Sequence, residues 1–137
     1  MTSPEHVPES ARTVDTNKGL VRRLVQEVLN NRRLDVVDEL YDQRLAPAAR
    51  RWIEPFLASF SEVHMRIDDL IAENDTVVGR FSCSGTHSGT WLGHPPTGRR
   101  FTDVAEVYIF RIADGRIVSA WGLEDTRGRL RQLGLEP

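Results

Sequence analysis

The sequence predicts a single α+β domain in which N-terminal helices pack on a mainly antiparallel sheet. Apolar residues recur at helical spacing up to about Ser61 and at every second position after it. An Asp114-Gly115 pair separates two of the strand-like segments, and this dipeptide is typical of a tight hairpin. Helices that precede the strands, instead of alternating with them, indicate the α+β class.

The length of 137 residues fits one domain, which can bury a core without a disulfide or a structural metal. Residues 1–14 are polar and contain two prolines, so a flexible tail is expected there and the domain is expected to cover residues 15–137. Cys83 is the only cysteine, which excludes an intrachain disulfide.

The formal net charge is −2, and no basic stripe indicates a nucleic-acid surface. No segment approaches the roughly 20 apolar residues that a membrane span requires. The first residues also lack the apolar run of a signal peptide. We therefore expect a cytoplasmic protein that binds neither nucleic acid nor membrane.

Three helices are predicted before the sheet. The first begins at Asp15 or Thr16, whose side-chain oxygens can cap the free N–H groups, and the second begins at Asp35. The third covers residues 48–60, and Pro55 should bend or restart it because proline lacks an N–H and clashes with the preceding turn. Four strands and a short final helix follow, at residues 63–71, 76–86, 102–112, 117–125 and from about 126.

Several short motifs of the second half occur in a characteristic order. They are Gly85-Thr86-His87-Ser88-Gly89, Gly93-His94-Pro95-Pro96-Thr97-Gly98-Arg99, the segment 110–118, Trp121 and Gln132-Leu133-Gly134. Together with the first helices, they make residues 16–135 resemble the SnoaL-like polyketide and ester cyclases of the nuclear-transport-factor-like superfamily. The resemblance implies a cone-shaped α+β barrel, an interior pocket for a small hydrophobic substrate, no cofactor and a homodimer.

The resemblance also indicates which strand face lines the pocket. The His and Asp that many of these cyclases place beside the family tryptophan fall on Ala120 and Gly122, so even-numbered positions of the last two strands should face inward. Glycine cannot move a proton, and another acid must take over if the chemistry is retained. Glu106, Glu124 and Tyr108 share this face and are the predicted catalytic groups, because burial raises the pKa of a carboxyl toward values useful in proton transfer.

Five further residues are predicted to contact a ligand. Phe110 shares the inward face, Trp52 and Phe56 lie on the apolar face of the third helix, and His94 lies in a loop at the pocket mouth or in solvent. Arg80 is the fifth, and it could instead pair with Glu106. No histidine spacing indicates a metal site.

The odd-numbered face of the same two strands carries Val107, Ile109, Ile117, Trp121 and Leu123. A monomer would leave this apolar patch in water, and such patches usually mark an interface. We expect a homodimer formed through this outer sheet face, with Trp121 in the interface.

Three functions stay open, and an enzyme is the favoured interpretation. The first is a tailoring enzyme of aromatic polyketide biosynthesis, a cyclase or a hydroxylase-like protein with cofactor-free acid/base chemistry. The second is an epoxide hydrolase or dehydratase of the same superfamily. An epoxide hydrolase would need an Asp-Arg-Asp arrangement in the pocket, and the strand phases of the available Arg80, Asp103 and Arg111 do not favour one. The third is a non-catalytic module that binds a small ligand, in which Glu106 serves only as an ion-pair partner.

Overall fold

The computed structural model describes residues 9–136, and all of its helices except the last precede its strands. Helix α1 covers Glu9–Arg23 and continues into a π-helical segment, Leu24–Asn30. A 3-10 turn at Leu34–Val36 leads into the short helix α2, Val37–Leu40, and then into α3, Ala46–Ser59. The remaining elements are β1 (Phe60–Glu73), β2 (Thr76–His87), β3 (Arg100–Ala113), β4 (Arg116–Glu124) and α4 (Thr126–Gln132). This arrangement confirms the α+β class.

Two helices differ from their predicted extents. Helix α1 begins at Glu9, so residues 9–14 are helical although they were expected in a tail; residues 1–8 lie outside the described part. The side chain of Asn17 fixes this helix to the sheet, because its amide donates to the carbonyl of Asn74 in the β1–β2 turn. Helix α3 passes through Pro55 as one element and does not restart there.

The sheet has the order β1-β2-β3-β4, and every neighbouring pair is antiparallel. Each pair contains at least one register shift. Two non-glycine residues near these shifts, Glu62 and Asp103, have positive φ. Bulges of this kind bend and twist a strand, which curves the sheet around the helices.

The core lies between the helices and the inner face of the sheet, where Phe60 and Phe101 meet edge to face. Ile117 belongs to this core, so its predicted place on the outer face is wrong. Arg111 pairs with Ser119 whereas Ile112 pairs with Ile117, and this one-residue shift reverses the direction of the side chain.

None of the helices within residues 9–136 has the length and apolar character needed to cross a membrane.

Candidate active site

A cavity of about 410 Å³ opens between α3, the π-helical segment and the inner face of the sheet. Its wall is mainly apolar and aromatic, with contributions from Leu24, Trp52, Phe56, Phe81, Trp91 and Phe110. Glu106, Tyr108 and Glu124 also line it. A cavity of this size and character suits one small organic molecule that meets a few polar groups.

Glu106 lies on β3 with only 2% of its surface exposed. One carboxylate oxygen, Oε1, accepts from the Tyr108 hydroxyl at 2.7 Å, and the other, Oε2, accepts from Nη2 of Arg129 at 3.0 Å. Burial, followed by the negative charge of Glu124, raises the pKa of Glu106, whereas the Tyr108 hydrogen bond and the Arg129 charge oppose that rise.

Glu124 pairs with Glu106 across the β3–β4 ladder but has a different environment. Its Oε1 accepts from Nη1 of Arg129 at 3.0 Å and from the Thr126 hydroxyl at 3.4 Å. Its side chain is one-third exposed, and its second oxygen makes no hydrogen bond to any residue of the described chain. Glu124, which lines the cavity, therefore has a carboxylate oxygen without a hydrogen-bond partner in the described chain, and Glu106 does not.

Arg129 lies on α4 and is fully buried. The carboxylate of Asp125 accepts from the N–H of Gly128 at 2.8 Å, and this cap starts the helix at Thr126. Arg129 is not among the site residues predicted from the sequence. The helical spacing to the buried Leu133, four residues later, is the signal that places it on the inner face of α4.

The Tyr108 ring covers the position at which the resemblance places an acid. Tyr108 and Gly122 are cross-strand partners, and a Cβ atom at Gly122 would overlap the ring. The ring is nearly parallel to that of Trp52, at a centroid distance of 6.2 Å, and 6.0 Å from that of Phe110. Burial, followed by the neighbouring Glu106 charge, raises the pKa of the Tyr108 hydroxyl.

Six predicted site residues lie together around the cavity, namely Trp52, Phe56, Glu106, Tyr108, Phe110 and Glu124. Arg80 does not join them, because it is exposed and its Nε binds Asp69 at 2.7 Å. The interpretation that Arg80 pairs with Glu106 is wrong, since Arg80 stands opposite Val107 on the outer phase of the sheet.

His94 lies in the loop between β2 and β3, outside the cavity lining, and its backbone pairs with that of Trp91. The same loop supplies Trp91 and Leu92 to the cavity wall, which sequence reasoning did not anticipate. His87 helps to fix this loop, since its buried Nδ1 accepts from the N–H of Thr97 at 3.1 Å.

Among residues 9–136, no aspartate and no arginine lines the cavity, so the Asp-Arg-Asp set expected of an epoxide hydrolase is not formed there. Asp103 and Arg111 are exposed on β3, where Asp103 binds Arg66 at 3.2 Å. The same part of the chain contains no group of His, Cys, Asp and Glu side chains that could hold a metal ion.

The chain is similar to known proteins over most of its length. The model of the SnoaL-like polyketide cyclases matches residues 19–133. Aklanonic acid methyl ester cyclase DnrD of Streptomyces peucetius is 29% identical over 135 residues, which cover 88% of this chain and 92% of that protein. Aklanonic acid methyl ester cyclase DauD of Streptomyces sp. (strain C5) is 30% identical over 129 residues, with coverages of 84% and 80%.

The fold is also found among solved structures. TsrD from Streptomyces laurentii superposes with a TM-score of 0.80 at 26% identity, over 96% of this chain and all of that one.

Proposed function

The chain belongs to the SnoaL-like polyketide cyclase family, and we propose that it closes a carbon ring in a polyketide of antibiotic biosynthesis. The observation that carries this proposal is the pair of carboxyl groups, Glu106 and Glu124, in one apolar cavity. Glu106 is buried with both oxygens occupied, and Glu124 is partly exposed with one oxygen free. Two carboxyls in such different environments are suited to opposite roles, one as acid and one as base.

The cavity favours a neutral, flat and largely aromatic substrate. Trp52, Phe81 and Phe110 offer ring faces and edges to it. The described wall offers two carboxyl groups and no cation to a substrate, since Arg129 lies behind it, so a substrate carboxylate would be desolvated without a positive partner. An esterified substrate avoids that cost, and the names of DnrD and DauD specify a methyl ester.

The first step of the proposed reaction is proton removal. The free oxygen of Glu124 takes a proton from a substrate carbon that lies next to a carbonyl group. The electron pair left on that carbon attacks a second carbonyl carbon of the same molecule and forms the new carbon–carbon bond. The electrons of that second C=O bond move onto its oxygen, which becomes the site of negative charge.

The second step is proton delivery to that oxygen. Tyr108 donates its hydroxyl proton and recovers one from Glu106, which starts the cycle protonated. A protonated Glu106 can keep Oε2 on Arg129 and direct an O–H from Oε1 to the Tyr108 oxygen, since both contacts already exist. Water then takes the proton from Glu124 and restores that of Glu106, so the reaction is an isomerisation without a co-reactant. Each of the two proton transfers accelerates the reaction by about 10²- to 10⁴-fold.

Ring closure of a polyketide methyl ester by the purified protein tests this proposal. Glu124→Gln should lower kcat by about 10²- to 10⁴-fold, because the amide cannot accept the proton. Glu73→Gln is the matched control: the same change at an exposed residue of β1 should leave kcat unchanged. Wild-type turnover by Glu124→Gln would overturn the assignment of the base.

A non-catalytic binding module is the alternative that one observation favours, because Glu106 does have a buried cationic partner in Arg129. That alternative predicts tight binding of the ester, seen as quenching of tryptophan fluorescence, without any product. The hydroxylase-like, epoxide hydrolase and dehydratase alternatives stay predictions without a supporting contact in the cavity.

A further inference from the structure

Arg129 joins the two carboxyl groups of the cavity through different nitrogen atoms. Nη2 donates to Glu106 and Nη1 donates to Glu124, each at 3.0 Å. The guanidinium is a planar group with fixed donor directions, so one side chain sets the separation and orientation of both carboxyls.

The guanidinium has little freedom to leave this position. Its Cζ atom lies 4.7 to 5.9 Å from the ring centroids of four surrounding aromatic side chains, Phe56, Phe60, Trp91 and Phe101. Rings at this distance attract a cation and also exclude water. The Nε atom is buried without an acceptor among residues 9–136, so the carboxyls of Glu106 and Glu124 are the groups that hold the guanidinium by hydrogen bonds.

The two carboxyls also have contacts that differ. Tyr108 on β3 and Cys83 on β2 face Glu106, and the Cys83 thiol is buried. Thr126, at the start of α4, contacts Glu124, whose charge also acts on Tyr108 and Cys83. Arg129 is the contact that both carboxyls share.

We propose that Arg129 is a positioning residue that assigns the two carboxyls their separate roles in ring closure. It lies behind them and is absent from the cavity wall. Its Nη1 binds one oxygen of Glu124 and leaves the second free, and its Nη2 fixes Glu106 against Tyr108. This inference rests on the proposed ring closure, which it deepens by naming the group that divides acid from base.

The test compares Arg129→Met and Arg129→Lys with Arg127→Met, which makes the same change at an exposed position of α4. The first readout is the pH profile of kcat. Loss of the Arg129 charge removes an interaction that opposes the raised pKa of Glu106, so the alkaline limb of Arg129→Met, where the proposed acid loses its proton, should move up by about 1 to 3 pH units. Arg129→Lys keeps the charge and should leave the limb near its wild-type position, while kcat falls because the two-nitrogen contact is lost. Arg127→Met should change neither.

The second readout needs no substrate: the titration of the glutamate side-chain carboxyls by ¹³C NMR. The Glu106 carboxyl signal should titrate at higher pH in Arg129→Met than in wild type. If Arg129→Met does not fold, Arg129→Lys decides by its loss of kcat at an unchanged alkaline limb. Wild-type kcat in Arg129→Lys, or an unmoved Glu106 signal in folded Arg129→Met, would overturn the proposal. Shifted signals in a protein whose wild type lacks turnover would instead overturn the ring closure.

Discussion

The ring of Tyr108 lies over the backbone of Gly122, in the space that any side chain at position 122 would need. The tyrosine at position 108 therefore requires a glycine at position 122, and this requirement excludes an acid there. The ring position brings the hydroxyl to Glu106, at 2.7 Å. The proposed acid is thereby carried by β3, whereas the resemblance places the family acid on β4.

Returning an aspartate to position 122 should consequently harm this protein. Gly122→Asp forces the Tyr108 ring away from the sheet, and overpacking of this kind costs about 1–3 kcal/mol. Thermal unfolding should show a lower Tm than wild type, and ring closure should fall as well. Ser119→Asp, at an exposed position of the same strand, is the control. A Gly122→Asp protein with wild-type Tm and faster turnover would show that the acid positions are interchangeable.

The Tyr108 hydroxyl can be tested separately from its ring. Tyr108→Phe keeps the ring over Gly122 but leaves Oε1 of buried Glu106 without its donor, which costs about 1–3 kcal/mol of unfolding free energy. The KM for a polyketide ester should change little because the aromatic wall remains, while kcat falls. A raised KM with unchanged kcat would mean that the hydroxyl binds substrate and donates no proton.

The raised pKa of Glu106 predicts how stability depends on pH. The folded protein holds the Glu106 proton to a higher pH than the unfolded chain, whose carboxyl titrates near its ordinary value of 4.5. The stabilisation from this proton is therefore complete below about pH 4.5 and is lost as the pH rises through the folded pKa. Urea unfolding of wild type and Glu106→Gln over a pH series isolates this contribution. The difference in unfolding free energy, wild type minus variant, should fall with rising pH; a difference that rises would reverse the sign of the shift.

The outer face of the sheet predicts a homodimer. Trp121 and Leu123 are 57% and 66% exposed on β4, next to the half-buried Val107 and Ile109 of β3. We expect light scattering to give the mass of a dimer for wild type and of a monomer for Trp121→Glu, because a buried unpaired charge opposes association. Ala113→Glu, in the exposed β3–β4 hairpin, should remain a dimer. A dimer that survives Trp121→Glu would place the interface elsewhere.

The spacing of apolar residues and the turn signals predicted most helices and strands, because these depend on short-range sequence patterns. Alternation along β3 placed Glu106, Tyr108 and Phe110 on one face, and the Asp-Gly pair marked the final hairpin. The same alternation failed at Ile117, because a register shift between strands leaves no trace in one strand's own period. Arg129 was missed for a related reason. Its spacing to Leu133 indicates which face of α4 it occupies, but its ion pairs join α4 to β3 and β4 and depend on how these elements pack, which spacing along one element does not encode.

The most direct test of the two-carboxyl account is deuterium uptake by a polyketide methyl ester in D₂O, followed by mass spectrometry together with ring closure. We expect that Tyr108→Phe still exchanges the acidic C–H faster than buffer, because Glu124 remains, but no longer closes the ring. Glu124→Gln should do neither. Exchange and ring closure by Glu124→Gln at the wild-type rates would contradict the account.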